Sequence, residues 1–291
     1  MKLGAVLPTS EIKADPAAIR DYAQAADSLG YDHLVLFDHV LGEDPSNRAG
    51  GRGGIDYTDK FHEPFVMFGF LAAVTERIKL STGILILPQR QTVLVAKQAA
   101  EADVLSGGRL RLGVGVGWNR VEFDGLGAEF GKRGRRMEEQ VAVLRALWTE
   151  EIVAFDGEWH TIQNAGLNPM PAQRPIPLWF GGHADVVLDR IGRLGDGWII
   201  SPSSRGHGDV PPMIERIHMA AKSAGRDPEA IGIETWVRLE NRPTDSWLEE
   251  VEEWRSAGVH EIALNTQKSG CLTVTDHIAA LERCKGAFDA M

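Results

Sequence analysis

The sequence predicts a closed (β/α)8 barrel forming a single domain over residues 1–291, with an inserted hairpin and long loops at the strand ends. Three observations predict it. Eight short apolar runs are each followed by a segment of helical periodicity, and no linker rich in Pro, Ser or charge separates them. The length of 291 residues admits one such barrel, typically ~250 residues, as it would two ordinary domains. Regular succession of eight units favours closure over a doubly wound open sheet.

KLGAVLP is a strand stopped by Pro8, and DPAAIRDYAQAADSLG places Ile19, Tyr22, Ala23, Ala26 and Leu29 at helical spacing. Asp15 as N-cap, Pro16 at the first helical position and Gly30 just past the end are its start and stop signals. HLVLFD is the second strand and PFVMFGFLAAVTE its helix. KLSTGILILP and TVLVAKQAAEADVLSGG form the third unit, and LRLGVGVG is the fourth strand. A long Gly-rich polar loop, WNRVEFDGLGAEFGKRG, then leads to the helix RRMEEQVAVLRALW. EIVAFDGEWHTIQ carries β-type residues around the turn pair Asp156-Gly157, so residues 151–170 are assigned to the inserted hairpin. PLWFGG with ADVVLDRIGRLG, GWIISP with MIERIHMAAKSAG, IETWVRLE with SWLEEVEEWRSAG, and EIALNTQ with VTDHIAALERCKGAF complete the eight. SLGYDHLVL, RLGDGWII and SAGVHEIAL echo one another as helix-to-strand joints.

With 43% hydrophobic residues the chain has enough apolar mass for a large core. A formal charge of −10, with no basic stripe beyond GKRGRR at 131–136, argues against nucleic acid as a partner. Two cysteines, Cys271 and Cys284, without CxxC or zinc-type His spacing, indicate neither a disulfide framework nor a metal site and fit a reducing cytoplasm. The N-terminus lacks a basic signal-type region, and no run reaches the ~18 apolar residues of a membrane span, so a cytoplasmic location without membrane contact is expected.

In this architecture chemistry gathers where the strands end. Those positions are Pro8 and Thr9, Asp38 and His39, Thr82 to Ile84, Val116 to Asn119, Gly181 and Gly182, Ser201 to Arg205, and Asn265. Asp38-His39 reads as a proton-transfer pair, a metal-ligand pair, or a capping acid beside a surface histidine; His62-Glu63 is the only nearby source of further ligands. GVGVGW at 113–118 superficially matches a dinucleotide fingerprint but does not pass straight into a helix. Its glycines either make room for neighbouring strands or let a flat ring lie against the backbone. TGILILP at 82–88 is plain core strand or a strand kinked at Gly83 to prop a ring. GGHAD at 181–185, two glycines at a strand end followed by a helix, points free N–H groups and a positive dipole end at an anion.

Taken together, FDHV, STGILILP, LSGGRLRLGVGVGW, RGRRMEEQVAVLRALW, PLWFGG and LGDGWIISP resemble the bacterial luciferase-like superfamily, and within it the oxidoreductases that use the deazaflavin coenzyme F420. The resemblance runs in order over about residues 1–205. It implies a TIM barrel, usually a homodimer, that holds a deazaflavin ring across the strand ends and transfers a hydride to or from a small organic substrate. Asp38 and His39 would then flank the ring, with His39 as the proton donor. Gly83-Ile84, after Thr82, would be a non-prolyl cis peptide behind the ring, a geometry tolerated mainly at functional sites. Val116, Gly117 and Trp118 would line its other edge. Trp179, Phe180, Gly181 and Gly182, with Ser201, Pro202, Ser203, Ser204 and Arg205, would follow the cofactor side chain and phosphate.

Sugar-phosphate dehydrogenases of the family carry a glutamate where this chain has Trp118, which turns the expectation toward a more apolar substrate. The alternatives are an FMN-dependent two-component monooxygenase supplied by a separate reductase, and a non-catalytic flavin-binding protein. The polar stretch GEDPSNRAGGRGG after the second strand is expected to be mobile in the empty site.

Overall fold

The structure, a computed structural model, describes residues 1–12, 14–47, 55–202 and 206–291. Strand β1 (Lys2–Val6) leads to helix α1 (Pro16–Ser28), where Asp15 accepts the Ala17 amide at 2.9 Å and Pro16 occupies the first turn. Gly30 ends the helix at φ +78, a conformation that a side chain would oppose. β2 (His33–Leu36) precedes α2 (Pro64–Val74), which is capped by Glu63 through the Val66 amide at 2.8 Å. The third strand is divided into β3 (Lys79–Thr82) and β4 (Leu85–Ile86), with α3 (Thr92–Leu105) behind it. β5 (Leu110–Gly115) follows.

The stretch expected to be a polar loop contains a short helix, α4 (Arg120–Gly125). Asn119 caps it by accepting the Val121 amide at 3.2 Å. After α5 (Arg133–Thr149), β6 (Val153–Asp156) and β7 (Thr161–Ala165) pair antiparallel as the inserted hairpin. The remaining units are β8 (Leu178–Gly181) and α6 (Asp185–Leu194), β9 (Gly197–Ile199) and α7 (Val210–Ser223), β10 (Gly232–Arg238) and α8 (Thr244–Ser256), then β11 (Glu261–Asn265) and α9 (Val274–Asp289).

All the barrel strands pair in parallel. The order β3-β2-β1-β11-β10-β9-β8-β5 returns on itself because β5 also pairs with β3, through Leu80–Leu110 and Ser81–Arg111. The third strand, in its two pieces, counts once, so the barrel has eight staves. The apolar residues pointing outward from the strands merge with the helix faces into one core, which includes Leu34, Leu112, Phe180 and Ile262.

Strand alternation sorts the inward residues into layers. At the N-terminal end the interior is charged. Arg111 meets Glu261 at 2.6 Å and also Glu234, and its guanidinium lies 4.2 Å from the Trp179 ring. His33 touches Glu234 and Asp32, each at 3.2 Å. Two residues further along the same strands, the interior turns apolar. Val35, Val6 and Ala263 are buried there, and packed against them Phe37 and Trp236 meet edge to face at 5.6 Å. The barrel is thus sealed below by ion pairs and presents an apolar, aromatic floor at its C-terminal mouth.

No helix among the described residues is long and apolar enough to cross a membrane.

Candidate active site

At the end of β2 the chain turns with Asp38 and His39, and their roles separate. The Asp38 carboxylate is buried, accepts the Ile86 amide at 3.0 Å and binds Arg90 at 2.8 Å, while Arg90 also binds Glu63 at 3.0 Å. Asp38 therefore braces the end of β4 and the start of α2.

His39 faces the mouth. Its Nδ1 lies 3.2 and 3.3 Å from the two oxygens of Glu122, and its ring stands edge-on to Phe61 at 4.8 Å and tilted against Trp118 at 6.2 Å. Among the described residues nothing bonds Nε2. Glu122, on α4, is 1% exposed and also accepts the amides of Val40 at 2.6 Å and Leu41 at 3.3 Å. Burial alone would raise its carboxyl; the hydrogen bonds from His39 and from Val40 outweigh burial and hold it below the ordinary carboxylate value.

The sequence reading did not find Glu122, although the pattern Asn119-x-x-Glu122 is a helix-start signature. Here the glutamate at the third position turns to His39 instead of back to the cap.

The Gly83–Ile84 peptide is cis, as the resemblance implies. Ile84 lies over β5 and β8: a Cβ on Gly115 would overlap its Cδ1, and one on Gly181 would come 3.0 Å from its Cγ2. The glycines of GVGVGW make room for neighbouring groups. Gly113 admits the Thr82 carbonyl, Gly115 admits Ile84, and Gly117 admits Ile86 and Phe123. Thr82 is fully buried with its hydroxyl on the Gly113 carbonyl at 2.6 Å. Val116 is partly buried against the core, and Gly117 at φ +71 turns the chain so that Trp118 stands 59% exposed at the rim.

Two expected side chains do not reach the mouth. Trp179 points inward at the charged end, filling the space left by Gly197 and Gly232, and Phe180 points outward to pack near Gly195. Only the backbone of this stretch remains beside the site. Gly181 ends β8 and Gly182 follows it at φ +122. The N-terminus of α6 has no side-chain cap, and Asp185 in its first turn is drawn to Arg216 at 2.9 Å. Ser201 and Pro202 are half-buried after β9, and Pro202 and Trp236 share a cavity of about 190 Å³ with Arg238, Glu240 and Arg242. Ser203, Ser204 and Arg205 lie outside the described residues, as do residues 48–54 of the Gly-rich loop.

Asp32, His33 and Glu261 are the one cluster of metal-ligand type among the described residues, but it sits at the opposite end of the barrel. Its carboxylates already hold Lys79 at 3.1 Å, and Lys2 at 2.7 Å with Arg111.

A flat ring with an anionic side chain suits this mouth on two counts. The floor and rim are apolar and aromatic. In addition, Arg136 of α5 keeps a buried Nε without a hydrogen-bond partner, one turn before Gln140, whose amide binds the Leu87 carbonyl at 3.1 Å just past β4. Gln89, at that same turn, is 5% exposed with both amide atoms unpartnered.

The sequence profile described as luciferase-like monooxygenase matches residues 1–257. The chain belongs to that family. An uncharacterized protein of Mycobacterium tuberculosis is 35% identical over 213 residues, 70% of this chain and 71% of that protein. The F420-dependent glucose-6-phosphate dehydrogenase of Gordonia bronchialis is 32% identical over 239 residues, 79% of this chain and 66% of that enzyme. Among solved structures, an F420-dependent secondary alcohol dehydrogenase in complex with an F420-acetone adduct superposes with a TM-score of 0.81 over 98% of both chains at 18% identity, a likeness of fold. In this chain His39 with Glu122 and the rim tryptophan, Trp118, stand at the strand-end mouth where a TIM barrel carries its chemistry.

Proposed function

We propose that this protein is a coenzyme F420-dependent oxidoreductase that moves a hydride between the deazaflavin and a small, largely apolar organic substrate. The observation that carries the reading is His39, held by a buried carboxylate at Nδ1 and open at Nε2 above an apolar floor. The 32% identity to an F420-dependent dehydrogenase supports the choice of cofactor.

When bound, the deazaflavin would supply the hydride chemistry. Ile84, Gly117 and Trp118 would hold the ring, and the α6 N-terminus, Gly182 and the Arg136 guanidinium are suited to its negative charges. Phe61, Trp118 and Trp236 would exclude water and orient the substrate, and His39 Nε2 would give or take the substrate proton. Trp118, where the sugar-phosphate dehydrogenases are expected to have a glutamate, directs the choice away from a sugar phosphate. We further expect a homodimer. Phe65, Met67, Phe68 and Leu71 of α2 are spent on the barrel, while Val66 and Phe70 of α2 and Val93 and Leu94 of α3 remain exposed for a second copy.

Equilibrium titration of the protein with oxidised F420 and with FMN, side by side, tests the reading. Tight F420 binding and weak FMN binding support it. The reverse would make the protein a reduced-flavin monooxygenase served by a separate reductase. A bound cofactor that no substrate reduces or reoxidises would leave a binding protein.

A further inference from the structure

We propose that Glu122 is a positioning residue that fixes the tautomer of His39, so that Nε2 alone carries the proton exchanged at the mouth. The inference rests on the reading of His39 as the proton-moving group. It begins with the division of labour between the two carboxylate oxygens. Oε1 takes the Val40 and Leu41 amides at 2.6 and 3.3 Å, so Oε2, which has no backbone amide and is the nearer to Nδ1 at 3.2 Å against 3.3 Å, is the main acceptor for the imidazole.

A carboxylate kept ionised can only accept hydrogen bonds, so Nδ1 must be the donor. The neutral ring then has its lone pair at Nε2, and when it gains a second proton there, the buried anion 3.2 Å away compensates the charge. The same carboxylate clamps the first two residues after His39. The imidazole is thereby held both by its ring nitrogen and by the backbone that follows it. Phe61 and Trp118 confine the ring from two sides.

Glu122→Gln is a nearly isosteric test of this arrangement. The side-chain carbonyl would remain on the Val40 and Leu41 amides, which admit only an acceptor, and this places the amide NH2 opposite Nδ1. Nδ1 would then have to accept, and the proton would move to Nε2, the atom that should have been free. Fold, loop and cofactor pocket stay as they are while the tautomer inverts.

The experiment is 15N NMR of ring-labelled histidine in the wild type, Glu122→Gln and Glu122→Ala, together with turnover of F420 by each. The expected result is a Nδ1–H tautomer for His39 in the wild type and a Nε2–H tautomer in Glu122→Gln. In that variant kcat should fall by about 100-fold or more, with KM and cofactor Kd within about twofold of wild type. Glu122→Ala should instead speed amide exchange at Val40 and Leu41 and raise KM as well. A tautomer that does not change in Glu122→Gln, or one that inverts with kcat intact, overturns the proposal. A wild type that turns over no F420 would overturn the hydride-transfer reading separately, while the ring spectra still decide what Glu122 does to His39.

Discussion

Ile84 lies across Gly115, so close that a single added methyl group on β5 would meet its Cδ1. The atom in the way is the far end of a side chain at the mouth, and Gly115 is not at positive φ, so the fold can yield at Ile84. Gly115→Ala should therefore fold, push Ile84 upward into the ring site and weaken cofactor binding about tenfold, ~1.4 kcal/mol. Cofactor titration checks the affinity, with thermal unfolding as the control.

Gly113, two residues earlier on the same strand, should behave differently. A Cβ there would overlap the Thr82 carbonyl, which is backbone and cannot swing aside as the end of a side chain can. Gly113→Ala should lose about 1–3 kcal/mol of stability by overpacking. Urea unfolding of the two variants side by side separates the effects.

Arg111 neutralises Glu234 and Glu261 inside the barrel, where all three are at most 5% exposed. Arg111→Leu would leave two buried carboxylates without their main cation, at a cost of about 3–5 kcal/mol. The check is denaturant unfolding at neutral pH, where the midpoint should fall sharply.

His33 makes the stability of that cluster depend on pH. Burial alone would lower its imidazole; the Glu234 carboxylate, with help from Asp32 and against Arg111, raises it above the ordinary value of 6.5. A raised folded value means that the protonated ring stabilises the fold. The contribution is complete below about pH 6.5, the unfolded value, and is lost as pH rises through the folded one. Unfolding midpoints measured from pH 6 upward should fall in the wild type and flatten in His33→Gln.

At the mouth, His39→Ala should keep cofactor binding, since the ring's proposed supports are other residues, and lose most turnover. Wild-type kcat in this variant would remove His39 from the chemistry.

At the turn of the inserted hairpin four hydrogen bonds converge on one side chain. Glu139 of α5 accepts the amides of Glu158, Trp159 and His160 at 2.8, 2.9 and 2.8 Å and also the His160 ring at 2.8 Å. Glu139→Ala should raise hydrogen exchange at residues 158–160 while leaving the barrel strands protected.

Much of this was legible in the chain itself. The alternation of apolar runs and helical segments, punctuated by Asp15, Pro16 and Gly30, depends on local geometry and specified the order of units. The place of Asp38 and His39 followed because a strand's end in a barrel is set by that order.

Glu122 was hidden because α4 is only six residues long, too short for a helical period to show. Trp179 and Phe180 could not be sorted because barrel strands are apolar on both faces, so alternation in polarity gives no direction. Which of Asp38 and His39 braces the fold and which faces the mouth was likewise beyond local pattern. Arg90, Ile86 and Glu122 choose between them, and they arrive from distant points in the sequence. The sequence by itself determined the succession of strands and helices and the ends at which chemistry could sit, because those obey spacing along the chain. Only the tertiary structure decided which side chains meet there, because that depends on barrel closure, which brings separate strands and their charges into contact.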